Sequence, residues 1–296
     1  MDFKTKLGKW NELINDELKR YNVAPEGPGS DICKAMEYSL MAGGKRLRPV
    51  LALAVCELLD GEYHDVLPYA CAIEMIHTYS LIHDDLPAMD NDDYRRGLPT
   101  SHKVFGEAIA ILAGDALLNR AFEVMLESTI ESAGNREARL KAMQLIAKSA
   151  GAKGMVRGQV IDLESEGAVV GKETLECMHK CKTGALIKAP VLAAALICGA
   201  SEADCGRLSR YAENIGLAFQ IKDDIMDVKG SPEKMGKAVG KDAARNKTTY
   251  ATLYGTDEAE RLLCRAVDDA TDALGDFGER ADFLRKLAIY IKDRNN

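Results

Sequence analysis

Apolar residues recur at steps of three and four along most of this chain, the spacing that places them on one face of a helix. The first such face is formed by Phe3, Leu7, Trp10, Ile14, Leu18 and Tyr21. Similar patterns cover residues 30–42, 49–60, 65–84, 104–113, 115–126, 136–150, 155–164, 174–198, 202–228, 257–274 and 280–293. No run alternates apolar and polar residues as a half-buried strand would. The pattern therefore predicts an all-α fold of about ten helices with short connections, in one domain spanning residues 1–296.

Glycine and proline mark the expected breaks in this pattern. Residues 22–29 carry two prolines, and residues 229–247 are rich in glycine and lysine, so both segments are predicted loops. Gly114 separates two apolar segments. Pro87 has no backbone N–H and should break or bulge the helix that runs into residue 84.

The segment DDLPAMDNDDYRR, residues 84–96, concentrates charge more than any other part of the chain. It holds five aspartates followed by two arginines. Two carboxylates about 4 Å apart repel by about 4 kcal/mol at an effective dielectric of about 20, so a cation must relieve them. Clustered carboxylates without cysteine suit Mg²⁺, Mn²⁺ or Ca²⁺. The neighbouring arginines suggest that a polyanion arrives with the metal, although an acidic turn is the simpler alternative.

A second acidic segment, FQIKDDIMD, spans residues 219–227. On a regular helix Asp223 and Asp227 share a face, with Asp224 beside them and Gln220 one turn earlier. Three carboxylates and an amide would then point at one target.

The first segment cannot use a regular helix in this way. Asp84 and Asp90 are six residues apart, about 240° around an ideal helix, so the backbone must be distorted between them. Buried carboxylates must be paired or coordinate metal. Two acidic ends on long apolar helices therefore predict a divalent-metal site.

Basic residues occur near both acidic segments. The turn GGKRLRP, residues 43–49, offers Lys45, Arg46 and Arg48 before a helix, where an anion would be favoured; a helix cap with solvated cations is the alternative. His77, two turns before Asp84, is either a core residue or a phosphate donor. Three lysines follow the second acidic segment, as surface residues or phosphate ligands: Lys237, Lys241 and Lys247.

Composition narrows the class of protein. Apolar content is 47% and the net charge is −7, which argues against a bulk nucleic-acid binder. Eight cysteines without a CxxC motif predict small buried side chains in a reducing compartment. The charged amino terminus is unlike a signal peptide, and no apolar run approaches the roughly 20 residues that span a bilayer. We expect a soluble cytoplasmic protein without stable membrane insertion.

Six motifs, in this order, make the chain resemble the trans-prenyltransferases, the head-to-tail polyprenyl diphosphate synthases. They are GGKRLRP at 43–49, HDDLPAMDNDDYRRG at 83–97, GQVIDL at 158–163, KTG at 182–184, FQIKDDIMD at 219–227 and GKD at 240–242. The resemblance covers nearly the whole chain, and the spacing in DDLPAMD is similar to the bacterial farnesyl diphosphate synthase type. Asn91 interrupts what is often a run of four aspartates, while Asp90 keeps its place.

The resemblance implies an all-α bundle of the isoprenoid synthase type, usually a homodimer, with two aspartate motifs facing each other across a central cavity. It implies two or three Mg²⁺ ions per active site, with Mn²⁺ possible, held by Asp84, Asp85, Asp90, Asp162, Asp223 and Asp224. Asp227 and Asp242 would lie behind these ligands. The allylic diphosphate would be bound by Arg95, Lys182, Lys237 and Lys247. Isopentenyl diphosphate would be bound by Gly44, Lys45, Arg48, His77 and Arg96.

The implied reaction is ionisation of an allylic diphosphate, attack by isopentenyl diphosphate, and loss of a proton. Lys182, Thr183 and Gln220 would act at the reacting carbon, the last two through neutral oxygens. Tyr79, five residues before the first aspartate, would be the floor that sets product length, with Ser80 beside it; a core role for Tyr79 is equally open. The expected product is farnesyl diphosphate, made from dimethylallyl and then geranyl diphosphate.

Four alternatives to this interpretation share part of its sequence pattern. A geranylgeranyl diphosphate synthase of the same family differs only in product length. An HD-type metal phosphohydrolase leaves DDIMD and Gln220 unexplained. A terpene cyclase would need only one diphosphate site, and a non-catalytic subunit would not need both acidic motifs.

Overall fold

The computed structural model describes residues 2–22, 27–229 and 248–294, and this part of the chain is built almost wholly from helices. The longer helices are α1 (Phe3–Tyr21), α2 (Asp31–Leu40), α3 (Leu47–Leu58), α4 (Tyr63–Asp84), α6 (Glu107–Glu131), α7 (Arg136–Ala150), α8 (Met155–Glu164), α9 (Lys172–His179), α10 (Ala185–Ile197), α11 (Glu202–Lys229), α13 (Thr256–Asp272) and α14 (Asp282–Asp293). Two short helices are α5 (Ser101–Phe105) and α12 (Tyr250–Tyr254). The all-α prediction is confirmed.

Helix α4 lies at the centre of the bundle. It packs against α3, α6 and α10, and buried residues occur on every side of it, from Val66 to Ile82. A helix that is apolar all round belongs in a core, which explains its position. Its carboxyl end carries the first aspartate segment, so those carboxylates are delivered from the middle of the molecule.

Helix α6 differs from its prediction. The sequence suggested two apolar segments separated at Gly114, but α6 continues through that glycine without a break. An added Cβ at Gly114 would lie 2.1 Å from Nε2 of His83. The glycine therefore permits a close approach of α4 and α6 instead of ending a helix.

The predicted helix over 174–198 contains an irregular turn. Helix α9 ends at His179, residues Lys180–Gly184 form a π-helical turn, and α10 begins at Ala185. Single π turns within helices are frequent at functional sites. This turn holds Lys182 and Thr183.

A short hairpin follows the first aspartate segment, so the expectation of no strand is wrong at this position. Strand β1 (Tyr94–Arg95) pairs antiparallel with β2 (Leu98–Pro99). The two connecting residues have positive φ, 54° at Arg96 and 79° at Gly97. Two consecutive residues with positive φ suit a tight two-residue hairpin. In this hairpin the side chains of Arg95 and Arg96 point in different directions.

The cysteines are free, and Cys33, Cys56, Cys71 and Cys181 are buried as predicted, whereas Cys264 is exposed. Within residues 2–22, 27–229 and 248–294, none of the helices combines the length and the apolarity that crossing a bilayer requires.

Candidate active site

The first aspartate segment reverses direction at the end of α4. Helix α4 ends at Asp84, and the Asp90 N–H donates back to the Asp84 carbonyl oxygen at 2.9 Å. The Asn91 N–H likewise donates to the Leu86 carbonyl at 3.1 Å. The predicted interruption near Pro87 is confirmed: the helix stops, and a compact turn returns Asp90 to the neighbourhood of Asp84.

Asp84 lies in a cluster of opposite and like charges. Burial raises the pKa of its carboxyl group, Lys182 opposes that shift, and Asp90 and Asp162 raise the pKa further. Lys182 Nζ donates to Asp162 Oδ2 at 2.7 Å. The side-chain amide of Gln159 donates to Asp84 Oδ1. The structure thus brings together Asp84, Asp90, Asp162 and Lys182, as the sequence-based interpretation requires.

Asp85 is held separately, by Arg95. The Arg95 Nε donates to both carboxylate oxygens of Asp85, at 2.7 and 2.8 Å. Asp85 is 3% exposed, and burial raises the pKa of its carboxyl group while Arg95 opposes the shift. The hairpin explains the contact, because β1 carries Arg95 back over the end of α4.

The second aspartate segment lies near the end of α11, and its helical geometry is as predicted. Gln220 Nε2 donates to Asp224 Oδ1 at 3.0 Å, and Thr183 Oγ1 donates to Gln220 Oε1 at 3.1 Å. The Tyr250 N–H donates to the other Asp224 oxygen at 2.8 Å. Asp224 is therefore bonded within the protein at both oxygens, and its role as a metal ligand stays a prediction. Asp227, expected behind the ligands, is buried.

Asp223 faces a group of cations. Arg294 donates to Asp223 Oδ1 at 2.8 Å. Burial lowers the pKa of Lys45 to about 8, with Arg294 lowering it further and Asp223 raising it. Burial also lowers the pKa of Arg48 to about 10, and Glu74 and Asp223 oppose that shift. Lys45 and Arg48, from the glycine turn before α3, are thus within electrostatic range of Asp223 near the end of α11.

His77 and Arg96 complete the basic group. Burial holds the pKa of His77 well below its ordinary value, with Arg48, Arg96, Arg95 and Arg46 lowering it further. An added Cβ at Gly44 would lie 2.7 Å from Cζ of Arg96, so glycine is required there for the guanidinium to reach the turn. Four of the five predicted isopentenyl ligands are therefore within contact or electrostatic range of one another: Gly44, Arg48, His77 and Arg96.

Arg46, in the same turn, points elsewhere. Its backbone is left-handed, with φ 48°, and its guanidinium donates to Glu74 at 2.9 Å, both side chains being 2% exposed. It also donates to the Leu40 carbonyl at 2.6 Å. Arg46 fixes the turn to α4, which leaves Lys45 and Arg48 as the cations that the turn presents.

The π turn connects the two acidic regions. Lys182 reaches Asp162 and the first region, whereas the next residue, Thr183, reaches Gln220 and the second. Glycines on both sides permit this: an added Cβ would lie 2.1 Å from the Lys182 nitrogen at Gly158, and 3.2 Å from the Gly184 Cα at Gly216. The backbones of α8 and α11 therefore lie directly against the backbone of the π turn.

The two residues expected to set product length lie one turn above Asp84. Tyr79 is 9% exposed, and its ring meets the His83 ring edge-on. The Ser80 hydroxyl donates to the His77 carbonyl at 2.8 Å. Lys237, Lys241, Asp242 and Lys247 lie outside the described residues.

The carboxylates are arranged around protein cations and amides. In the part of the chain that the structure describes, no group of three or more His, Cys, Asp or Glu side chains already surrounds a metal-sized point. The oxygen donors are nevertheless those that Mg²⁺ prefers, and the like charges of Asp84, Asp90 and Asp162 that raise the Asp84 pKa would be relieved by an ion. The donor set fits a divalent cation.

Three contacts of the site were not found from the sequence. Gln159 lies three residues before Asp162 on α8, so helical spacing could have revealed it. Glu74 lies within an apolar run on α4, where one acid signals a buried partner. Arg294 is 71 residues from Asp223 and no local pattern links them.

Comparison with known proteins places the chain among close relatives. Residues 30–277 match the family model described as polyprenyl synthetase. A geranylgeranyl diphosphate synthase from Cyanophora paradoxa is 47% identical over 293 residues, covering 99% of this chain and 96% of that protein. A farnesyl diphosphate synthase from Micrococcus luteus is 46% identical, covering 96% of this chain and 95% of that protein.

Solved structures give the same fold. A crystal structure of an FPP/GFPP synthase from Zymomonas mobilis has a TM-score of 0.87 and 39% identity, covering 98% of each chain. A geranyltransferase from Legionella pneumophila has a TM-score of 0.86 and 34% identity, covering 99% of this chain and 98% of that chain.

Proposed function

Because the chain belongs to the polyprenyl synthetase family and is therefore a prenyltransferase, we propose that it condenses isopentenyl diphosphate head-to-tail with an allylic diphosphate. The acceptors are dimethylallyl and then geranyl diphosphate, and the product is farnesyl diphosphate. Relatives named farnesyl diphosphate synthase, from Micrococcus luteus and Geobacillus stearothermophilus, are 46% and 48% identical to this chain and support the fifteen-carbon product.

One observation carries the proposal: the site contains two pairs of cations, one pair beside each aspartate segment. Arg95 donates a hydrogen bond to Asp85, and Lys182 donates one to Asp162. Asp223 acts electrostatically on Lys45 and Arg48 and raises the pKa of each. Two cation groups suit two diphosphates, as a condensation needs and a hydrolase or one-substrate cyclase does not.

The metal would be Mg²⁺, two or three ions per site, with Mn²⁺ as a substitute. Asp84, Asp90 and Asp162 would hold it on one side and Asp223 on the other, and Asp85 and Asp224 would be further ligands. When bound, Mg²⁺ stabilises the negative charge that develops on the departing diphosphate.

The protein's own groups orient the rest of the reaction. Arg95 and Lys182 bind the allylic diphosphate through charge-assisted hydrogen bonds. The Thr183 hydroxyl donates a hydrogen bond to Gln220, so the lone pairs of its neutral oxygen are free to face the allylic carbon and stabilise the cation. The proton released after carbon–carbon bond formation passes to an oxygen of the departing diphosphate. Binding in the core of the bundle excludes water, which would trap the cation as an alcohol.

The pH dependence should report Lys45. Its lowered pKa of about 8 means that the free enzyme loses this charge as the pH rises through that value, and a neutral amine binds diphosphate poorly. We expect kcat/KM for isopentenyl diphosphate to fall by about tenfold per pH unit above that point.

The control for this prediction is Lys45→Arg. A guanidinium stays charged throughout this range, so the alkaline fall should disappear. An unchanged alkaline limb in the arginine variant would assign the titration to another group.

Product length should depend on Tyr79. Its ring is buried, five residues before Asp84 on α4, and removing it would leave space into which the growing chain could extend. We expect Tyr79→Ala to extend the product beyond fifteen carbons, measured by chromatography of the dephosphorylated alcohols. The same product profile as the parent enzyme would count against a floor at this position.

A homodimer is the proposed assembly. Helices α5 and α6 expose five large apolar side chains to water: Val104, Ile111, Leu112, Leu126 and Ile130. A second copy of the chain would cover them. The buried free cysteines support a cytoplasmic location.

The decisive experiment is incubation of the purified protein with isopentenyl diphosphate, geranyl diphosphate and Mg²⁺, followed by identification of the prenyl alcohol. Farnesol after dephosphorylation supports the proposal. Geranylgeraniol as the main product would transfer the assignment to the twenty-carbon alternative, and release of phosphate without a longer chain would refute prenyl transfer.

A further inference from the structure

The side of α4 that faces α6 carries a contact that the proposed chemistry does not use. The rings of Tyr79 and His83 meet edge-on, with centroids 5.7 Å apart and planes at 81°. His83 Nε2 lies 3.0 Å from the Ile111 carbonyl oxygen of α6. The His83 ring therefore joins α6 to the aromatic side chain one turn earlier on α4.

Gly114 provides the space for this ring. An added Cβ there would lie 2.1, 2.5 and 2.8 Å from three atoms of the His83 imidazole, distances that no real contact tolerates. Gly114 is buried in the middle of α6, without the positive φ that would require glycine, and glycine weakens a helix interior. Its presence is explained by the imidazole, which takes the place of a side chain on α6.

We propose that His83 and Gly114 are specificity-determining residues that hold the Tyr79 ring in position and thereby set product length. The proposal rests on the proposed function, in which Tyr79 limits the length of the product. A tyrosine ring pivots about two side-chain torsions. The edge contact with His83 restricts that pivot, because His83 is itself fixed between Gly114 and the Ile111 carbonyl.

The experiment compares His83→Ala, Gly114→Ala and the double variant, using isopentenyl and geranyl diphosphates with Mg²⁺. In His83→Ala the Tyr79 ring gains room to pivot, and we expect the ratio of products longer than fifteen carbons to farnesyl product to rise about two- to tenfold. His64→Ala is the matched control, an exposed histidine at the other end of α4, and should leave the ratio unchanged.

The double variant tests the packing itself without substrate or metal. Gly114→Ala alone should lower the Tm, because its methyl group overlaps the imidazole, and adding His83→Ala should restore most of the loss. The double variant should still make longer products. If Gly114→Ala alone does not fold, recovery of a folded, active double variant makes the same point.

The outcomes separate this proposal from the assignment of the reaction. Failure of the unsubstituted protein to form any longer prenyl chain would refute the proposed function. Normal prenyl transfer with an unchanged product ratio in His83→Ala would overturn the role of His83. Equal Tm values for the double variant and Gly114→Ala would overturn the contact with Gly114.

Discussion

The variants Asp84→Ala and Asp223→Ala should each have a kcat about a hundred- to ten-thousandfold lower than the parent enzyme. The reason is that metal-assisted charge stabilisation contributes several kcal/mol. The fold should survive. Asp84 lies near Asp90 and Asp162, and both raise its pKa, so removing one of three repelling carboxylates relieves the metal-free protein. Steady-state kinetics and circular dichroism of both variants would measure activity and folding together.

Asp93 supplies the control, since it belongs to the same run of five aspartates. Its side chain is exposed and lies 2.7 Å from Lys103. Asp93→Ala should retain activity within about twofold, because exposed ion pairs contribute little. Near-normal turnover in either Asp84→Ala or Asp223→Ala would refute a metal site that needs both aspartate segments.

Substituting Gly158 by alanine should lower kcat by about a hundredfold, the order expected when a catalytic group moves by about 1 Å. The new Cβ would lie 2.1 Å from the backbone nitrogen of Lys182, so α8 and the π turn must separate. That movement takes Asp162 away from Lys182 and shifts Thr183. We expect the concentration of Mg²⁺ needed for half-maximal activity to rise as well, which simple destabilisation would not cause.

Gly206→Ala is the matched control for this change. Gly206 lies in α11 with nothing within 4 Å of an added Cβ, so alanine should leave activity unchanged and slightly favour the helix. If Gly158→Ala kept both its turnover and its Mg²⁺ dependence, the close contact with the π turn would have no part in positioning Lys182.

Regular geometry is what the sequence predicts best. The contact between Gln220 and Asp224 follows from a spacing of four on a continuous helix, and it is present at 3.0 Å. Helices α7 and α8 begin and end where their patterns do. In each case the helical repeat continues over several turns, so it determines both where the helix lies and which residues share one face of it.

The site itself depends on departures from that regularity. The hairpin that carries Arg95 to Asp85 has strands of two residues. Strands this short cannot show an alternation of apolar and polar residues in the sequence. The π turn adds one residue to a helical repeat and so sends Lys182 and Thr183 to different partners. Arg46 and Arg48 look alike in the sequence, and only a left-handed backbone at Arg46 turns the first of them into the core.

Gly114 shows a different limit. Glycine in an apolar run predicts a break when only the chain's own conformation is considered. Here the reason for glycine is a histidine on another helix, and tertiary packing of that kind leaves no trace in local spacing.

The central claim is that the ends of α4 and α11 hold one diphosphate between them through divalent ions. Crystals grown with Mn²⁺ and inorganic diphosphate test it directly, since anomalous scattering locates each ion. The account predicts Mn²⁺ bound to Asp84 and Asp90 and to Asp223, with the diphosphate bridging them. Mn²⁺ and diphosphate on one aspartate segment alone, with the other segment still bonded only to protein cations, would contradict it.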